Sequence, residues 1–149
     1  MSNEKISNGD LLSLYSGISM LLDNDNNKYE FNYALIKNKH RIKKHFEEAD
    51  EMIKMLEKER INLVSKYCDK DSDGKAIIKN NIYQGLQTGQ NPDFDKLNEE
   101  LIDKRKSFMK AEVEFEPYKI RKEHLPKTMN GSAQDAIFIL LEEEEKNAN

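Results

Sequence analysis

The residues whose types and spacing come closest to a known chemistry are those of segment 69–74, DKDSDG. Asp69, Asp71 and Asp73 fit positions 1, 3 and 5 of a calcium-binding loop, and a glycine follows at position 6, where such a loop turns sharply. Position 12, which needs a bidentate glutamate, is Asn80. The competing interpretation is a Ser-Asp-Gly turn. The sequence favours the turn and leaves a calcium-dependent protein as an alternative.

A second candidate is the locally basic segment 37–45. Lysine and arginine side chains neutralise phosphates, so this segment could serve a nucleic-acid accessory protein. On a helix its cations spread over several faces, and Glu47 and Glu48 follow at a spacing that allows pairing along the helix. The sequence favours a solvated helix face and leaves nucleic-acid binding as an alternative. The residues of that alternative are Lys37, Lys39, Arg41, Lys43 and Lys44.

Histidine and cysteine positions give no catalytic constellation. His40 and His45 are five residues apart, whereas two metal ligands on one helical face are spaced by four. No nucleophile motif surrounds the single cysteine, Cys68. The sequence therefore predicts that the protein is not an enzyme and needs no cofactor.

Composition narrows the class of protein further. The chain has 149 residues, a formal net charge of −4 and 35% charged residues, which fits one domain of ordinary size, 1–149, with a thin core. Mild acidity argues against a generic nucleic-acid binder, whose domain would be basic. A single cysteine excludes an internal disulfide framework. No apolar run approaches the roughly 18 residues of a membrane span, so we expect a cytoplasmic protein without a membrane partner.

Hydrophobic spacing predicts the elements that position these residues. Leu35, Ile42, Ala49, Leu56 and Leu63 are seven apart, with a second series between them that includes Lys39 and Arg60. This 3-4 repeat is typical of a long helix, over about 29–67, with a coiled-coil-like seam. A helix from about Leu11 to Leu22, capped by Ser7 or Asn8, precedes it. The other predicted elements are a β excursion over 69–90, a helix over 92–111, a strand over 113–120 and a C-terminal helix over 132–145, which a Ser132–Asp135 capping box would open.

These elements predict a mainly α fold (α+β minor): a long antiparallel helical hairpin, coiled-coil-like, with a small β excursion and short flanking helices. Apolar and aromatic residues in the excursion would suit a partner-binding tip, because aromatic anchors dominate binding hot spots. The competing interpretation, which the pattern favours, is a minicore that caps the hairpin. A thin core and a long seam also leave apolar surface for self-association. The tip residues are Ile77, Ile78, Ile82 and Tyr83.

The layout resembles a family of small, uncharacterised proteins of tailed phages and prophages. The resemblance lies in the leucine stretch 10–22, the entry YEFNYAL into a lysine-rich helix, the insert DSDG, and EVEF leading to a polar-capped helix at 132–141. The chain departs from the family in a longer excursion over 75–91 and in its Glu/Lys/Asn tail. The family has no established catalytic residues, so none is carried over.

The resemblance and the seam together imply a function through protein–protein contact. We expect an intracellular phage protein that is either an accessory or assembly factor or an inhibitor of a host defence component. Its partner would be a host or phage protein.

Overall fold

The computed structural model describes residues 3–143 and is mainly helical with a minor β component, as the sequence predicts. None of the helices within that range is long and apolar enough to cross a membrane. The described part of the chain contains two short 3-10 turns, Lys122–His124 and Phe138–Leu140, besides its helices and strands. In chain order the elements are β1 (Glu4–Ser7), α1 (Asn8–Leu22), α2 (Tyr29–Tyr67), β2 (Ile78–Lys79), β3 (Ile82–Tyr83), α3 (Pro92–Lys110), β4 (Glu112–Phe115) and α4 (Gly131–Ala136).

The chain divides into two compact units. The terminal unit comprises Met1–Ala49 and Met109–Asn149, and the hairpin unit comprises Asp50–Phe108. The long helix α2 contributes its first part to one unit and its second part to the other. A continuous heptad repeat does not reveal this division, because it shows which face is buried and not which element covers it.

The terminal unit is built around a two-stranded sheet. β1 pairs antiparallel with β4, in the register Ile6 opposite Val113 and Glu4 opposite Phe115. Ser7 caps α1, because its Oγ accepts a hydrogen bond from the Asp10 N–H at 3.1 Å. The buried core joins α1, the first part of α2 and the C-terminal segment. Its fully buried large side chains are Leu11, Leu14, Ile18, Phe31, Leu35, Ile42, Ile120, Ile137 and Leu140.

The predicted strand over 113–120 is wrong beyond Phe115, because the ladder ends there. Pro117 has no N–H to donate, and the Tyr118 N–H donates to the Asn38 side chain instead of to a strand. Ile120 returns to β pairing in an isolated parallel bridge with Leu141. The sequence also gives no sign of β1, the strand that pairs with this segment.

The predicted C-terminal helix over 132–145 is also shorter in the structure. α4 ends at Ala136, and the chain turns extended after the 3-10 turn because Ile120 exchanges backbone hydrogen bonds with Leu140 and Glu142. Asn130, not Ser132, caps the helix: its Oδ1 accepts from the Ser132 N–H at 2.8 Å. Glu144 and Glu145 lie outside the described residues.

The hairpin unit pairs the second part of α2 with α3 in antiparallel fashion. Tyr67 lies against Phe94, with ring centroids 6.3 Å apart, and Glu59 lies 3.5 Å from Lys104. Between the helices, β2 and β3 form a minimal antiparallel ladder. Asn80 and Asn81 make its turn with φ of 52° and 64°, the left-handed backbone of a type I′ turn.

Candidate interaction surfaces

The four predicted tip residues do not form one patch. Ile78 pairs with Tyr83, and Lys79 with Ile82, so these pairs lie on opposite faces of the small ladder. Gln84 donates to the Ile77 carbonyl at 3.0 Å, which places Ile77 on the face of Ile82. Ile78 and Ile82 are 50% and 64% exposed, while the other two are half-buried. The tip thus combines a partial minicore with one exposed isoleucine on each face.

The hairpin unit exposes more large apolar side chains than it buries apolar ones. Four apolar side chains of this unit are buried: Leu56, Val64, Cys68 and Phe94. Seven large ones are exposed, the two isoleucines of the tip and Met52, Met55, Ile61, Leu97 and Ile102. Leu63, Leu97 and Leu101 line a groove of about 240 Å³ between the helices. A pair of helices without a third layer leaves apolar side chains uncovered.

Charged residues of the seam are paired within their own unit. The Arg60 guanidinium donates to both carboxylate oxygens of Glu57, with its shortest contact at 2.7 Å from Nη2 to Oε1. This hydrogen bond raises the pKa of Arg60 and lowers the pKa of Glu57. In the terminal unit, Lys39 Nζ lies 5.3 Å from the ring centroid of Tyr15. These interruptions of the heptad pattern are therefore accommodated and need no external partner.

The cationic side chains of the basic segment 37–45 point in several directions. Lys43 pairs with Glu47 at 3.9 Å, Lys44 is exposed, and Lys39 faces Tyr15 as described. Lys37 and Arg41 instead point to Tyr118: Lys37 Nζ is 5.3 Å and the Arg41 guanidinium 5.8 Å from its ring centroid. The structure thus brings two of the five predicted cations together and separates the other three.

Tyrosines extend the Lys37–Arg41 pair into a larger surface, which we call the tyrosine–cation cluster (Tyr29, Tyr33, Lys37, Arg41 and Tyr118). Tyr29 stacks on Tyr33 at 6.3 Å, and Tyr33 meets Tyr118 edge-on at 5.8 Å. Tyr29 is 77% exposed. This cluster is not among the predicted sites, although the i, i+4 spacing of Tyr29, Tyr33, Lys37 and Arg41 indicates a common helical face.

The Asp-rich loop is organised as a turn. Asp71 Oδ1 accepts from the Asp73 N–H at 2.9 Å and from the Lys75 N–H at 3.0 Å, so this carboxylate holds the backbone. The Asp69 carboxylate lies over Gly85, whose φ is +86°. Among residues 3–143, no group of three or more His, Cys, Asp or Glu side chains is placed to hold a metal ion.

The remaining candidates for chemistry lie apart. Cys68 is buried, with its Sγ 3.6 Å from the Ser65 carbonyl oxygen. His45 Nε2 lies 3.2 Å from the Glu114 carbonyl oxygen, so in the Nε2–H tautomer it donates to β4. Each of these groups contacts the backbone of its own unit, which is a structural arrangement.

No protein-family profile matches this chain, and neither a curated protein nor a solved structure does.

Proposed function

We propose that this is a small phage protein of the host cytoplasm that works by binding another protein, through the exposed apolar surface of the hairpin unit. One observation carries the proposal: this unit exposes seven large apolar side chains and buries four. Burying apolar surface is favourable by about 25 cal/mol per Å², so a partner that covers these side chains gains free energy. Exposed apolar side chains that a partner can cover contribute to protein-interaction sites.

The proposal includes two roles, and the identity of the bound partner distinguishes them. A defence inhibitor binds a host protein and occludes it, and it restores phage growth on a defended host. An accessory or assembly factor binds a phage structural protein. Self-association through the same surface is a third form of binding, in which two hairpins complete a four-helix layer.

The test is affinity capture of the tagged full chain from infected cells after nuclease treatment, followed by mass spectrometry. Met52→Glu/Leu97→Glu places charge on the hairpin surface at side chains that are 40% and 37% exposed. Met20→Glu is the matched control, because Met20 is 55% exposed on α1 of the terminal unit. We expect a stoichiometric protein that the double variant loses and the control keeps. If the double variant captures the same proteins in the same amounts, the hairpin surface does not bind them and the proposal is wrong.

The tyrosine–cation cluster supports a second candidate function, the binding of single-stranded nucleic acid. Exposed aromatic rings stack on bases, and neighbouring cations neutralise phosphates. Lys37→Glu/Arg41→Glu should abolish binding of a fluorescent oligonucleotide, while Lys58→Glu on the hairpin unit leaves it unchanged. Two phosphate contacts predict a slope of log K against log salt of roughly −1.4. Binding that is insensitive to the double variant would exclude this function for the basic segment.

A further inference from the structure

The two outer edges of the β1–β4 sheet differ. The free edge of β4 is covered by α2: His45 Nε2 lies 3.2 Å from the Glu114 carbonyl oxygen, and Arg41 Nη1 donates to the Glu116 carbonyl at 2.9 Å. These contacts engage the outward Glu114 carbonyl of β4 and the Glu116 carbonyl that follows the strand. An edge covered in this way is closed to another chain.

Among residues 3–143, no strand pairs with the free edge of β1. Backbone groups of successive residues in an antiparallel ladder point alternately toward the partner strand and away from it. The Asn8 N–H donates to the Ala111 carbonyl at 2.8 Å, so the backbone of Asn8 faces β4. Ile6 and Glu4, two and four residues before Asn8, therefore also face β4. Lys5, which lies between them, faces outward. Glu114 faces outward on the other side, as its register with Lys5 requires. Within residues 3–143, no hydrogen bond engages the Lys5 N–H or C=O.

Two adjoining cavities form a groove beside β1. Lys5, Ile6 and Ser7 line a cavity of about 760 Å³, and Glu4 lines a second of about 600 Å³. Phe138 and Ile139 line both cavities, so they form a common wall for the two. Phe138 is 73% exposed, an unusual position for a phenylalanine in a unit with a well-buried core. The groove therefore combines unpaired backbone groups with an uncovered aromatic ring.

The charges of the groove indicate the chemistry of its occupant. Six carboxylates line the two cavities, against the four ammonium groups of Lys5, Lys110, Lys119 and Lys122. Glu4 and Lys119 neutralise each other at 3.5 Å, and Arg121, which lines neither cavity, lies 3.8 Å from Glu142; four carboxylates then remain against three ammonium groups. The excess of negative charge favours a basic occupant. The carboxylates are those of Glu4, Asp10, Glu112, Asp135, Glu142 and Glu143.

We propose that this groove binds an extended, net basic segment of a partner protein, which pairs with β1 as a third strand and packs an apolar side chain on Phe138. Alternating backbone donors and acceptors are matched only by extended backbone, and this mode of recognition is strand addition to a sheet edge. The site lies wholly in the terminal unit and is independent of the hairpin surface proposed above.

The probe for this site is a seven-residue peptide of alternating lysine and valine, with a glutamate–valine peptide as the charge control. We expect the lysine peptide to bind the full chain in an isothermal titration and to shift the Lys5 and Ser7 amide signals in NMR spectra. Lys5→Pro removes the outward N–H without removing a bond to β4, and it should weaken binding at least tenfold. Lys5→Ala keeps that N–H and removes a like charge, so it should bind as tightly as the native chain or more tightly.

Phe138→Ser provides a second variant, since an exposed ring is not needed for folding; it should also weaken binding. The proposal is overturned if the lysine peptide does not bind, or if it binds Lys5→Pro as tightly as Lys5→Ala. A dimer that only Lys5→Pro converts to a monomer would instead assign the edge to a second copy. Binding that appears only after truncation at Glu143 would assign the groove to residues 144–149. The Met52→Glu/Leu97→Glu variant should bind the peptide normally, which separates this test from that of the hairpin surface.

Discussion

The side chain of Asn38 satisfies both backbone polar groups of Tyr118, eighty residues away. Its Oδ1 accepts from the Tyr118 N–H and its Nδ2 donates to the Tyr118 carbonyl, each at 2.8 Å. Nδ2 also donates to the Ala34 carbonyl at 2.8 Å. Asn38 is fully buried. This amide therefore fixes the segment after β4 on α2 and replaces the ladder that Pro117 interrupts.

The first prediction is that Asn38→Leu destabilises the protein by about 2–4 kcal/mol. The substitution leaves two backbone groups of Tyr118 without partners, and each unpaired buried polar group costs about 1–3 kcal/mol. Urea unfolding followed by circular dichroism measures the change. Asn62→Leu, at an exposed position of the same helix, is the control and should stay within about 0.5 kcal/mol of the native chain. An equal effect of both substitutions would contradict a special role of the Asn38 amide.

The second prediction concerns the contact of α1 with α4 at Gly17. A Cβ at this position would lie 2.7 Å from the Ala136 Cβ. Helix propensity alone favours alanine over glycine by about 1 kcal/mol, whereas overpacking costs about 1–3 kcal/mol. We expect Gly17→Ala to lower the free energy of unfolding, and Ala136→Gly in the same chain to restore part of the loss.

Gly131→Ala is the matched control for Gly17→Ala, because nothing lies within 4 Å of a Cβ at Gly131. It should leave the thermal midpoint unchanged or raise it slightly. If Gly17→Ala also raised the thermal midpoint, α1 and α4 would have to move apart easily to accommodate the added methyl group.

The third prediction tests the turn at the tip of the hairpin unit. Asn81 has φ of 64°, and an ordinary L-residue pays roughly 1 kcal/mol or more for the left-handed region. Asn81→Ala should therefore loosen β2 and β3, while Asn81→Gly should keep them paired. Hydrogen exchange of the Lys79 and Ile82 amides measures this local opening. If alanine and glycine give the same exchange rates, the turn is not of this type in solution.

The helices could be predicted from the sequence because their signals are local. Leu35 and Ile42 are seven residues apart, and Leu56 follows fourteen residues after Ile42. This spacing predicts a helix, which is α2, Tyr29–Tyr67, in the structure. Pro92 likewise stands at the first position of α3. Such signals depend only on residues that are close in sequence. They can therefore be recognised without knowing which other part of the chain packs against the helix.

Long-range features were beyond the reach of sequence patterns. Asn38 interrupts an apolar stripe without indicating that Tyr118 completes its bonding, and Glu4–Ser7 is too short to predict a strand without Glu112–Phe115 beside it. The four tip residues do not form one patch for a related reason. Ile78 and Ile82 are near in sequence, but the register places them on opposite faces of the ladder. A pattern gives types and spacing, whereas a site depends on which residues the register brings together.

The last prediction is a pH dependence at the Glu57–Arg60 pair. The hydrogen bond from Arg60 lowers the pKa of Glu57 below its usual value of 4.5. A carboxyl group with a lowered folded-state pKa stabilises the fold above its unfolded-state pKa, and this contribution is lost as the pH falls through the folded-state pKa. Glu57→Gln should therefore reduce stability at neutral pH and have no effect in strong acid. The difference should be small and shrink in high salt, because both side chains are solvent-accessible.

An NMR titration of the Glu57 carboxyl carbon checks the direction of the shift, and Glu51→Gln on an exposed face of α2 is the control for the loss of one acidic charge. If Glu57 titrates at or above 4.5, the ion pair does not form in solution, and Arg60 is then a free cation on the seam of the hairpin unit. In that case the surface proposed to bind a partner carries an extra positive charge, and acidic partners become the better match for it.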